Sequence, residues 1–122
     1  MRLKYKEEDL NVIGEELREK DCPDLRRNIL SVLDTLDVLS GKWTVPVAIA
    51  IIKGHSRFSA IRDFWSGLTD KVLYTTLNHL ILNRMVIKKG ENYIITEHGV
   101  SLYKVIQEMC AWGQRHRHVM LE

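Results

Sequence analysis

The side chains best placed to do chemistry lie between residues 57 and 93. A stretch beginning at Asp70 spaces Leu73, Leu77 and Leu80 so that one side of a helix is apolar. Lys71, Tyr74, Thr75 and Asn78 then share the other side. These types suit a duplex groove. Asn can bond adenine at two positions, Thr or Tyr can meet a thymine methyl or a phosphate, and Lys supplies a point charge to phosphate. Asp70 reads as compensation of the helix dipole rather than as a reader of cytosine. Further on, Lys88 and Lys89 stand on a strand-like run, and Arg57 precedes a short helix from which it could clamp a flanking phosphate. Arg62, Lys42 and Arg84 are secondary candidates for the same role.

The charge distribution agrees with that assignment. The 122 residues carry 18 basic and 16 acidic side chains, a formal charge of only +2. Residues 42–90 hold 8 of the basic groups and only 2 acidic ones, Asp63 and Asp70, whereas residues 1–41 hold 7 basic and 10 acidic. A basic middle between acidic flanks is the footprint of a polyanion binder.

Other chemistry is poorly supported. His116 and His118 do not share a helical face, and His55, His79 and His98 show no ligand spacing, so no metal is expected. A glycine-rich phosphate loop, a nucleophile elbow and an HExxH pattern are all missing, so neither an enzyme nor a cofactor is expected. Two cysteines, Cys22 and Cys110, are too few for a disulfide framework. Cys22 has Arg26 and Arg27 one turn on, which would favour a thiolate and leaves a thiol-based redox sensor as an alternative. Cys110 is assigned to core or dimer packing. No apolar run is long enough to span a membrane and the first residues are polar, which predicts a cytoplasmic protein.

The elements that position these residues follow from periodicity and punctuation. Residues 6–20 form an amphipathic helix with Leu10, Ile13 and Leu17 on one face, interrupted at Pro23. A second helix from Asp24 to Leu39 carries the stripe Ile29, Val32, Leu33 and Leu36, and stops at Ser40-Gly41. Trp43 to Ile52 is apolar throughout and suits a buried strand as well as a buried helix. The helix is favoured because Pro46 then falls in its first turn, and Trp43 is read as a core anchor. After a short extended piece at residues 55–58, Ser59 is expected to cap a helix to about Trp65. A turn at Ser66-Gly67-Leu68 follows, and Thr69 caps the helix from Asp70 to about Asn83. Val86–Lys89 and Tyr93–Ile95 form a hairpin about Gly90-Glu91-Asn92. Thr96 caps a last helix to about Met120, with the stripe Leu102, Val105, Ile106, Met109 and Trp112. The order helix, turn, helix, hairpin makes the fold mainly α with a small β-hairpin wing, a winged helix-turn-helix, in a single domain over 1–122.

From about Ser31 to Gly113 the chain resembles the HxlR family, MarR-related winged-helix transcriptional regulators. The resemblance rests on Gly41-Lys42-Trp43-Thr44, Gly54, Arg57-Phe58-Ser59, Gly67-Leu68-Thr69, the leucines at 73, 77 and 80, Val86, Thr96-Glu97-His98-Gly99 and Trp112-Gly113. It implies a homodimer on double-stranded DNA, with the outer helices forming the dimer contact. On that basis Leu10, Ile13, Leu17, Met109 and Trp112 are the expected dimer residues. The identity of any small-molecule effector stays open. The chain departs from the family pattern at several places. Ser31-Val32 replaces a Cys-Pro pair, Ala60 replaces Glu, the wing is short, and Arg84 replaces a glycine, so that Asn83 or Arg84 must adopt the turn before the wing. Fold alone does not settle function, because some winged helices are protein-interaction modules without DNA binding.

Overall fold

The structure, a computed structural model, describes residues 23–122, with side chains described from Asn28 onward. Leu10, Ile13, Leu17 and Cys22, and the side chains of Arg26 and Arg27, lie outside the described residues. The elements are α1 (Pro23–Val38), α2 (Thr44–Ile52), α3 (Phe58–Phe64), α4 (Asp70–Leu82), β1 (Val86–Lys89), β2 (Asn92–Ile95) and α5 (Glu97–Leu121).

The apolar run at 43–52 is a helix, and it is the hub of the fold. It packs against α3, α4, β2 and α5, and Val47, Ala48, Ala50 and Ile51 are all buried. Helix α2 is therefore surrounded on most sides, which explains why its sequence shows no amphipathic period. Trp43 is half-buried against this core. Pro46 sits in the first turn, where its missing N–H costs nothing, and its carbonyl accepts a hydrogen bond from Trp65 Nε1 at 2.8 Å.

Both threonine caps form. Thr69 Oγ1 accepts from the Val72 amide at 3.3 Å, and Thr96 Oγ1 accepts from the Gly99 amide at 2.9 Å. Ser59 is not the cap of α3. That helix starts two residues earlier than such a cap would place it, with Arg57 at the cap position in an extended conformation and no side-chain capping bond. The reason is a long-range pairing: Arg57 bridges Asn92 of the wing, and the Tyr93 amide donates to the Ser56 carbonyl at 2.7 Å.

The wing is a two-stranded antiparallel sheet with Val86 opposite Ile95 and Lys89 opposite Asn92. Its loop is thus Gly90-Glu91 alone, one residue tighter than the sequence suggests. Gly90 takes φ 59°, a value glycine accepts without strain. Arg84 turns the chain into the wing with φ 58°. An L-residue pays roughly 1–2 kcal/mol in that region. Its carbonyl is held by the Thr96 hydroxyl at 2.7 Å, and its amide donates to the Ile81 carbonyl at 2.9 Å.

Gly99 lets α5 approach this junction. A Cβ there would run into the Met85 carbonyl oxygen and lie 2.6 Å from Ile95 Cδ1. Leu102 and Ile106 continue the contact into the core. Farther along α5, Val105, Met109 and Trp112 are exposed, and so are Ile29, Val32, Leu33 and Leu36 of α1. Cys110 is a free, exposed thiol, so it does not pack in the monomer core. Among the described residues no helix is long and apolar enough to cross a membrane.

Gly99→Ala is expected to destabilise the fold by about 1–3 kcal/mol, because the obstruction is backbone and a packed isoleucine rather than a flexible tip. Thermal unfolding of the variant beside the wild-type protein measures this.

Candidate nucleic-acid interface

Helix α4 presents two chemically distinct sides. Leu73, Leu77 and Leu80 are essentially fully buried, and Thr76 beside them satisfies its hydroxyl on the Val72 carbonyl at 2.8 Å. Lys71, Tyr74, Thr75 and Asn78 are all exposed, Tyr74 at 62%. Thr75 donates its hydroxyl hydrogen to the Lys71 carbonyl at 3.0 Å, so it offers its methyl group and lone pairs outward. The far end of α4 is fixed by His79, whose Nε2 lies 2.8 Å from the Val38 carbonyl at the end of α1. With a carbonyl as partner, that nitrogen is the protonated one.

Beside α4 an open groove of about 460 Å³ runs to the wing. Its lining includes Arg57, Tyr74, Lys88, Glu91 and Tyr93. Three of the residues singled out from sequence, on three different elements or their flanks, therefore meet around one concavity. Arg57 is brought there by its pairing with Asn92, which Ser56 reinforces with a hydroxyl bond to Asn92 Oδ1 at 3.1 Å. Lys88 extends over the ring of the buried Tyr93, with Nζ 5.5 Å from its centroid. Lys89 is exposed next to the loop. Glu91, which the sequence reading passed over, is an acidic member of this lining and pairs with Arg57 at 2.9 Å.

Of the secondary cations, Arg62 and Lys42 are engaged within the protein. Arg62 donates to Asp63 and to Asp70, both at 3.0 Å. Its guanidinium is held above its already high ordinary pKa, first by the hydrogen bond to Asp63 and then by that to Asp70. Arg62 thus ties α3 to the first turn of α4 instead of reaching outward, and Asp70 serves both that tie and the helix dipole. Lys42 lies over Trp43, with Nζ 5.6 Å from the ring centroid. Arg84 is exposed at the α4–β1 junction.

A mostly helical chain whose exposed helix side and adjoining hairpin carry these groups is a winged helix-turn-helix. The HxlR-like helix-turn-helix family matches residues 38–120. The chain belongs to this family of transcription regulators. The HTH-type transcriptional regulator YtcD of Bacillus subtilis is 31% identical over 94 residues, covering 71% of this chain and 75% of its own. The regulator YkvN of the same organism is 34% identical over 86 residues, covering 65% of this chain and 73% of its own. Among solved structures, quinone-bound YodB from B. subtilis superposes with a TM-score of 0.63 at 26% identity, over 77% of this chain and 99% of YodB.

Proposed function

We propose that this DNA-binding transcription regulator inserts α4 into the major groove and lays the β1–β2 wing, Lys88 to Tyr93, on the adjacent backbone or minor groove. The observation that carries this reading is the two-sidedness of α4: Tyr74 and Asn78 stand exposed opposite three buried leucines. A helix of this diameter fits the major groove, and there its outward side chains reach base edges. Asn78 is assigned to bidentate recognition of adenine. Thr75 and Tyr74 are assigned to thymine methyl groups or phosphates, and Lys71, Lys88, Lys89 and Arg57 to phosphates.

One winged unit makes few base contacts, so useful specificity calls for two. The exposed apolar stripes of α1 (Ile29, Val32, Leu33, Leu36) and of α5 (Val105, Met109, Trp112) support a homodimer through these outer helices. Part of the α5 stripe, with Glu108 and Arg115, lines an open groove of about 430 Å³. Leu10, Ile13 and Leu17 belong to the same proposed contact. The chain then acts as a single unit over 1–122, in the cytoplasm, on pseudo-palindromic sites whose halves lie about one helical turn apart.

Selection from random DNA fragments is expected to return a symmetric site. On that site Asn78→Ala should lose about 1–3 kcal/mol of discrimination at one base pair, while Lys88→Ala should weaken all sequences alike and reduce the salt slope by about one. Binding that ignores salt would contradict the reading. For the dimer, sedimentation equilibrium should give a dimer for the wild-type protein. Trp112→Glu should weaken it by about 2 kcal/mol or more, the loss of an interface hot spot. A monomeric wild-type protein would contradict that part.

A further inference from the structure

We infer that Glu91 is a phosphate surrogate: in the free protein its carboxylate occupies the guanidinium of Arg57, and a DNA phosphate displaces it on binding. The inference rests on the DNA-binding reading above and adds a residue that sets affinity through another.

The backbone builds this pair. Arg57 bridges Asn92, the residue that follows Glu91, and the Ser56 hydroxyl and carbonyl hold Asn92 and Tyr93 in register. The two-residue loop projects Glu91 to the tip of the wing, beside Arg57. Arg57 Nη1 and Glu91 Oε2 meet at 2.9 Å, yet the two side chains are 64% and 80% exposed. An exposed pair of this kind contributes little stability, because water and salt screen it. A carboxylate and a phosphate present similar oxygens to a guanidinium. The pair also faces the groove that runs to Tyr74 and includes Lys88. A carboxylate left in place there would repel the phosphates that Lys88 and Lys89 are assigned to meet. Exchange removes the conflict: the arriving phosphate takes Arg57, and Glu91 turns to solvent. The consequence is a tax on every DNA contact of the wing. It falls on non-specific and specific sites alike.

The test is a double-mutant cycle on binding to a mixed-sequence DNA duplex across a salt series, with wild type, Glu91→Gln, Arg57→Gln and the double variant. Glu91→Gln is expected to tighten binding about twofold to fivefold at low salt and to steepen the salt dependence by up to about one ion. In the Arg57→Gln background the same substitution should give clearly less. An equal gain in both backgrounds would mean that Glu91 acts only as a negative charge, and would overturn the exchange. Weaker binding by Glu91→Gln would mean that the pair orders the wing for DNA, and would also overturn it. A wild-type protein that binds no duplex removes the DNA reading and the exchange together. Salt-dependent wild-type binding with an uncoupled cycle removes only the exchange.

Discussion

The burial of Leu73, Leu77 and Leu80 fixes everything else in the site. Each such side chain taken from water into the core contributes roughly 1.5–3 kcal/mol, and together they leave α4 one rotation about its axis. Turning the helix to expose them would bring Asn78 and the Tyr74 hydroxyl toward an apolar core with no partners to receive them, a further cost for each buried polar group. The outward side is thus a consequence of the inward one. The same buried face packs on α2, whose own apolar surroundings hold α3, β2 and α5 in place.

The wing depends on a second set of contacts, polar rather than apolar. The Thr96 hydroxyl donates to the Arg84 carbonyl and accepts from the Gly99 amide, while the Thr96 amide donates to the Met85 carbonyl at 2.9 Å. One residue therefore joins the turn before β1, the end of β2 and the start of α5. Ser56 and Arg57 clamp the other edge of the hairpin through Asn92 and Tyr93. Between these two anchors Lys88 has a defined position over Tyr93. Cations near α4 divide accordingly: Arg62 is spent on Asp63 and Asp70, whereas Lys71, Lys88 and Lys89 face outward.

Much of this was legible in the chain because it is local. Leucine spacing gave the sidedness of α4, and threonines at the right offsets gave two caps. The resemblance to the family, whose glycine is missing here, narrowed the left-handed turn to Asn83 or Arg84, and Arg84 takes it. A helix buried on most sides has no period to distinguish it from a strand, so α2 was read as a helix from its proline. Two features were not legible, each for a physical reason. The start of α3 is set by pairing between residues 57 and 92, and the loop of the wing is tightened to Gly90-Glu91 by the register of its own strands. Such contacts leave no trace in nearby sequence. For the same reason the spacing that identified Arg57 as a cation near DNA gave no hint that Glu91 holds it. The family signature reached the fold and the regulator class, but it did not place Glu91 against Arg57.

Contact of the outward side of α4 and the wing with duplex DNA is tested by an NMR titration of the isotope-labelled protein with such a duplex, following backbone and side-chain amides. Shifts are expected to concentrate at residues 71–78, including the Asn78 side-chain amide, and at residues 88–92. Shifts confined to the exposed stripes of α1 and α5, with α4 silent, would contradict it.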